Sequence, residues 1–495
     1  MEAVRFPFLS RRSKMTFDLR SAIEVIKQQD GQYLETDRLV DARAEIAGIY
    51  RRIGAGGTVK RPTQLGPAML FKNVKGYKAS SVLIGLLGHR DRVGLMLGIE
   101  PERLGYAFLD AVEHPVNPVV IDAKAACQEN VYYADDPEFD IRKILPAPLN
   151  TERDAGPYIT MGLCYTHDPE TGESNIAHHR MCLQGRDTMT VGFGGFRHMG
   201  AFYQKAKKLG KAFPISISIG VDPAISIAAC FQSPTTPLGF DELAVAGAIR
   251  KQPVELVKCK TIEEYAIANA EYVIEGELSI EEKVSEDQHT HTGRSIPEFV
   301  GYNGAARVFP VLKVKAITCR TNPIMQVCIG ASEEHVNMAG IAEEASILQM
   351  TSRALPGKVK NVYCPPGGGG KLMAILQVKK EGAEDEGKQK QAALIAFGAC
   401  TELKNIFLVD EDVDIFDPND VMWAFNTRFK PEMDMSTISN IRCHKADPTQ
   451  KKFYDSSIRT EGLGTKAIYD CTVPFDAKEE MTRAIFMDVD VSEWM

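Results

Sequence analysis

From about residue 151 to residue 325 the sequence runs through one short alternating segment after another: SNIAHHRMCLQ, TMTVGFGG, FPISISIG, AEYVIEGELSI and VLKVKAITCR. A period of two sends successive side chains to opposite faces of a strand. These segments therefore predict a largely antiparallel sheet or barrel, interrupted by helical pieces such as DELAVAGAIR.

Either side of this block the pattern changes. FDLRSAIEVIKQQD spaces its apolar residues by three and four and predicts an amphipathic helix, AMLF and SSVLIGLLG read as buried strands, and PERLGYAFLDAVEH reads as a helix opened by proline. PAPLNTERDAGPYIT, rich in Pro, Asp and Gly, reads as a domain boundary or an entry loop. After TNPIMQVCIG, strands such as LMAILQV and NIFLVDEDVDIF alternate with helices such as AEEASILQMTSR, KQAALIAFGACT and DVMWAFNTR, the pattern of a second α/β unit. KKEGAEDEGKQKQ reads as a solvated helix start. A chain of 495 residues exceeds what one core can serve. The expected organisation is an α/β domain over 1–125, a β domain over 126–325 and an α/β domain over 326–495.

Composition narrows the function. A net charge of −8 with only short basic clusters excludes nucleic acid as the main partner. There is no run of eighteen apolar residues and no signal-peptide pattern, so no membrane partner is expected, and Met15 could itself be a start. Eleven cysteines without a C-x-x-C pair fit reduced thiols. A cytoplasmic location is the expectation.

Several groups can carry chemistry. Asn175, Arg180 and His198 stand among apolar and glycine residues in the stretch NIAHHRMCLQGRDTMTVGFGGFRHMG, and each is costly to desolvate without a partner. Asn oxygen, His nitrogen and a carboxylate such as Glu242 would make a mixed site suited to Mn²⁺ or Mg²⁺; a solvated polar face is the alternative. In VSEDQHTHTGRSIPEFVGYNG, Glu286, Asp287 and Glu298 flank a loop with His289 and His291, either a proton-transfer site or a solvated hairpin tip. CPPGGGGKL would let a ligand approach the backbone and present Lys371 to an anion, with His335 and His444 as partners or as ordinary core histidines. The GAGG of RRIGAGGTVKRP fits a phosphate cradle or a turn, and the acidic run DEDVDIFDPND a cation site or a strand-end loop.

In this order the motifs DAGPYIT, DPETG, SPTTPLGFDELAVAGA, EDQHTHTGRSIPEF, PGGGGKL and DEDVDIFDPNDVMWA resemble the UbiD family of prenylated-FMN-dependent decarboxylases, over nearly the whole chain from about residue 17. Within it the chain is most similar to the AroY-type branch acting on protocatechuate, gallate and related hydroxybenzoates. The resemblance implies a central split β-barrel that binds flavin and metal, and a C-terminal α/β domain with a terminal helix near DAKEEMTRAIF that serves oligomerisation.

For the site, the resemblance implies that Asn175, His198 and Glu242 ligate Mn²⁺ (or Mg²⁺), with a companion K⁺, and hold the flavin phosphate. It places Ile176, Ala177, Arg180 and Arg197 along the cofactor, and Arg180, Glu286 and Glu298 as the catalytic set with Glu298 as acid/base. Twelve positions separate the two glutamates here, against five in many relatives, so HTHTGRS reads as an insertion and Asp287 rivals Glu286. Arg197, His335, Lys371 and His444 would face the substrate. The implied reaction is reversible non-oxidative decarboxylation of 3,4-dihydroxybenzoate to catechol, or of gallate to pyrogallol, through a covalent adduct with the cofactor. A flavin prenyltransferase would supply that cofactor, and a homodimer or hexamer is implied. Alternatives are another aromatic or heteroaromatic acid, or flavin binding without decarboxylation.

Overall fold

The computed structural model describes residues 16–55, 66–194, 197–492 and residue 494. Met15 and the last two residues of the GAGG cluster, Gly56 and Gly57, lie outside the described residues.

The alternating segments close into a barrel. Strands Tyr272–Ser285, Phe213–Ile219, Tyr158–His167, Ser174–Leu183, Thr188–Gly192 and Val308–Cys319 pair in that order, and the last returns to pair antiparallel with the first. Closure removes the free edges that an open sheet would leave. Ile215, Ile217 and Ile219 point into one core with Met181, Val191, Ile274 and Leu312. The opposite face is not solvated as simple alternation suggests. Ser216 and Ser218 are buried too, because Ser216 Oγ donates to the Tyr265 carbonyl and Ser218 Oγ accepts from the Ile267 amide. A covering segment replaces water there, and the buried hydroxyls find backbone partners.

The N-terminal region forms the expected helix at Leu19–Lys27, opened by a capping box in which Asp18 accepts from the Ser21 amide. Its sheet orders Tyr33–Thr36, Ala68–Phe71 and Ser81–Ile84, and is completed by Ile324–Val327, which runs parallel to Ser81–Ile84. The chain thus returns to its first sheet immediately before the 22-residue helix Glu333–Ala354. That helix joins the regions: Arg90 Nη2, from the N-terminal part, meets Glu344 Oε2 at 2.7 Å with both side chains largely buried.

The C-terminal sheet is mixed. Met373–Val378, Asn405–Asp410 and Leu463–Cys471 are parallel neighbours, with Val359–Tyr363 and Met435–Arg442 antiparallel at the edges. One expectation is corrected. The terminal helix is a single 3-10 turn, Phe475–Ala477, because Ile485, Phe486 and Met487 beyond it have no surface of this chain to pack on, being 93%, 88% and 84% exposed. The acidic run forms a loop after the strand Asn405–Asp410, in which Arg428 pairs with Asp410 and Asp412, and Arg483 with Asp412 and Asp420. Among the described residues no helix is long and apolar enough to cross a membrane.

Candidate active site

Arg180 lies on the barrel strand Ser174–Leu183, and Glu286 follows directly on the end of Tyr272–Ser285. Their side chains meet as a planar fork: Nε donates to Oε1 at 3.1 Å and Nη2 to Oε2 at 2.9 Å. Glu286 also accepts from Tyr158 Oη at 3.1 Å and from the Arg307 amide at 3.1 Å. Four donors saturate a carboxylate that is 1% exposed. Glu298 differs. It sits at the tip of the hairpin Arg294–Pro297/Asn303–Ala305, is 28% exposed, and accepts one long bond from Arg180 Nη1 at 3.3 Å. Burial pulls the Arg180 pKa down, but the two carboxylates outweigh it and the pKa is raised. Of the two neighbouring acids, Glu286 is the one that reaches Arg180. Asp287 instead accepts from the Gly293 amide at 2.8 Å and from Ser285 Oγ, capping the histidine-bearing loop.

A second group forms where two helices begin. His198 and Glu242 are the first residues of His198–Leu209 and Glu242–Arg250, with His198 Nδ1 3.8 Å from Glu242 Oε1. Their cap residues are Arg197 and Asp241. Asp241 accepts from the Leu243 amide at 2.8 Å and from Ser174 Oγ at 2.9 Å, which fixes the second helix against the Arg180 strand. The Ile176 amide reaches Glu242 Oε2 at 3.4 Å, with Ala177 next along the strand. His198 Nε2 lies 3.1 Å from Ser233 Oγ, leaving Nδ1 aimed at Glu242. Asn175 is buried on the same strand and its Nδ2 has no partner among the described residues. Burial pushes Glu242 up to about 8, the state of a carboxylate that lacks a neighbouring cation. An amide with an orphaned buried atom, an imidazole and a carboxylate make a donor set that fits a divalent ion of the Mn²⁺ or Mg²⁺ kind. The two helix N-termini add partial positive charge that suits a phosphate beside it.

The third group gathers around Phe299, the residue after Glu298. Its ring stacks on His335 at 5.4 Å and meets His444 edge-on at 4.7 Å, and Lys371 Nζ stands 6.0 Å from its centroid. Lys371 follows the glycine run, in which Gly370 is required by packing. A Cβ on Gly370, which has φ +73°, would come within 2.6 Å of the Val336 carbonyl, so only glycine lets this loop lie on the helix that bears His335. Sequence reasoning missed Glu402. It lies between the helix Lys388–Ala399 and the strand Asn405–Asp410, with Oε1 2.9 Å from Arg197 Nη2 and Oε2 3.1 Å from Lys371 Nζ. Burial opposes its ionisation, but Lys371 and the other cations hold its pKa well below the usual carboxylate range. Nothing in ACTELKN signals this. Arg197 and His198, adjacent in sequence, thus turn to opposite sides, one to Glu402 and one to Glu242.

The chain matches the 3-octaprenyl-4-hydroxybenzoate carboxy-lyase N-terminal domain over residues 26–112, the Rift-related domain over 119–333 and the C-terminal domain over 336–471. Matches to three successive carboxy-lyase domains, on a closed barrel with a buried Arg–Glu pair at its edge, make the molecule a decarboxylase in class. The chain belongs to the UbiD family. Gallate decarboxylase of Lactiplantibacillus plantarum is 51% identical, covering 97% of this chain and 99% of its own. The apo structure of a 3,4-dihydroxybenzoic acid decarboxylase from Enterobacter cloacae has a TM-score of 0.92 at 51% identity, over 97% of this chain and 99% of that one. The UbiD-class enzyme HmfF from Pelotomaculum thermopropionicum, in complex with FMN, has a TM-score of 0.84 at 31% identity, over 97% and 100%.

Proposed function

We propose that the protein catalyses reversible non-oxidative decarboxylation of a hydroxybenzoate, 3,4-dihydroxybenzoate to catechol or gallate to pyrogallol, with prenylated FMN as cofactor. One observation carries this reading: through Phe299, the sparsely bonded Glu298 adjoins Lys371, His335 and His444, so a proton-transfer group and hydroxyl-binding groups share one wall. The gallate and 3,4-dihydroxybenzoic acid decarboxylases at 51% identity support it.

Asn175, His198 and Glu242 would hold Mn²⁺ (or Mg²⁺), with K⁺ as a companion ion, and through it the flavin phosphate. The prenylated flavin, when bound, supplies the electron sink for carbon–carbon cleavage that a phenolic acid alone lacks. Arg180, locked by Glu286, keeps a fixed cation on the cofactor side. Arg197 faces the substrate carboxylate. Lys371, His335 and His444 bind the ring hydroxyls and orient the ring. Glu298 carries a proton on a carboxyl oxygen and delivers it to the ring carbon that the carboxylate has left, its partial exposure allowing exchange with water. A flavin prenyltransferase supplies the cofactor in the cytoplasm, where eleven free cysteines would stay reduced. A homodimer or hexamer would cover the apolar tail around Ile485 and Phe486.

The test is anaerobic co-expression with a flavin prenyltransferase, followed by the mass of the released cofactor and catechol or pyrogallol formation from the two acids. Prenylated flavin with either phenol is expected. Prenylated flavin without either would shift the reading to another aromatic or heteroaromatic acid, and absence of bound flavin would overturn the site.

A further inference from the structure

We infer that Glu402 is the positioning residue for ring-hydroxyl recognition, drawing Lys371, Arg197 and His444 around one carboxylate so that their donors meet a hydroxylated ring in fixed places. The inference rests on the hydroxybenzoate reading and deepens it. Three observations support it.

The first is convergence. Arg197 comes from the cap of a barrel-side helix, Lys371 from the glycine loop and His444 from the far edge of the C-terminal sheet, yet all face Glu402, at 2.9, 3.1 and 3.6 Å. Lysine has a flexible four-carbon stem, and two cations left together would push it away from Arg197. Glu402 holds both.

The second is the state of His444. The Ala446 amide donates to His444 Nδ1 at 3.0 Å, which places the neutral ring's proton on Nε2, the nitrogen that faces Glu402. Burial lowers the His444 pKa to about 4, so the ring offers a single N–H donor and no charge near neutral pH. Lys371 offers ammonium donors beside it. The His444 N–H is turned to Glu402, which holds that ring in place, so the Lys371 ammonium is the donor a ring hydroxyl would meet.

The third is charge. The other acid near the cluster, Glu343, is buried on the long helix, accepts from Gln232 Nε2 at 3.2 Å, and is pushed by burial towards its neutral form. Arg197 and Lys371 both pair with Glu402. A substrate that carries one carboxylate and neutral hydroxyls would meet both cations there.

This arrangement makes Glu402→Gln act in opposite directions on two ligands. Loss of the negative charge frees Arg197 and raises the local positive potential, which favours any carboxylate, but it releases Lys371 and His444 from the geometry that reads hydroxyls. Calorimetric titration of the flavin-loaded enzyme with 3,4-dihydroxybenzoate and with unhydroxylated benzoate separates the two. The expected result is binding of 3,4-dihydroxybenzoate weakened about tenfold or more, with benzoate unchanged or tighter. In a Lys371→Met background, Glu402→Gln should add less than about a further twofold, since residues that act through one another are not additive.

Equal weakening of both ligands, no change in either, or full additivity with Lys371→Met would overturn the inference. Melting temperature and flavin content check the fold. Should Glu402→Gln not fold, Glu402→Asp, which keeps the charge on a shorter stem, carries the comparison: it should lose affinity for the dihydroxy acid and keep it for benzoate, and an equal loss of both overturns the inference. Wild-type protein that neither binds nor decarboxylates the dihydroxy acid would sink the hydroxybenzoate reading itself. A wild type that does both, with a Glu402→Gln effect blind to the hydroxyls, sinks only the role of Glu402.

Discussion

Two charged clusters, one at the barrel and one at the C-terminal side, are built in opposite ways. In the barrel cluster one guanidinium serves two carboxylates, and Glu286 takes four donors from Tyr158, Arg180 and the Arg307 amide. In the cluster at the C-terminal side one carboxylate, Glu402, serves two cations and a neutral imidazole. The first comes from contiguous barrel strands and a hairpin, so its geometry is set by backbone pairing. The second is collected from separate loops and depends on the packing of two regions. A saturated pair suits a group that must not move a proton. A cluster with two cations on one carboxylate suits an incoming anion.

The most severe way to break the barrel cluster is Arg180→Ala. It leaves Glu286 buried without its counter-charge, and the expected loss is about 3–5 kcal/mol of stability, read by denaturant unfolding of the flavin-free protein. Next is Glu298→Gln, which removes the transferable proton but leaves Arg180 on Glu286. It should lower kcat about 10²–10⁴-fold with flavin content and melting temperature close to wild type; unchanged turnover would strip Glu298 of the acid/base role.

A pH series sharpens the contrast on the other side. The Glu402 pKa is lowered in the folded state, so its stabilising contribution is present above the ordinary value of 4.5 and is lost as pH falls below it. Wild-type stability should drop more steeply than that of Glu402→Gln below about pH 4.5, measured as midpoint shifts in denaturant. The smallest effect is expected at Asp287. Its two bonds cap a loop, so Asp287→Asn should cost about 0.5–1.5 kcal/mol and leave kcat unchanged, whereas Glu286→Gln should lower kcat.

Much of this was legible in the residues. The alternating segments became the barrel strands, and the amphipathic spacing of Leu19, Ala22, Ile23 and Ile26 became a buried helix face. The motif residues Asn175, Arg180, His198, Glu242, Glu286 and Glu298 all fall on or next to barrel strands, at helix starts or in one hairpin, where local pattern places them. What the pattern could not show were contacts set by distance along the chain. Ser216 and Ser218 read as a wet face until the 265–267 segment covers them. The packing of Gly370 on Val336 could not be read from the glycine run before Lys371. The tail residues 476–486 have helical composition, but Arg483 reaches back to Asp412 and Asp420 while Ile485 and Phe486 stay exposed.

The sequence by itself determined the element types and an antiparallel sheet or barrel, because periodicity acts within a few residues, while its ordered motifs carried the resemblance that supplied the family and the motif residues. Only the tertiary structure decided that Glu286 rather than Asp287 reaches Arg180, that Asp410, Asp412 and Asp420 of the acidic run pair with Arg428 and Arg483, and that Glu402 joins Arg197 to Lys371. Each of those outcomes is a charge meeting its counter-charge in a buried place, and such meetings depend on which segments the fold brings together.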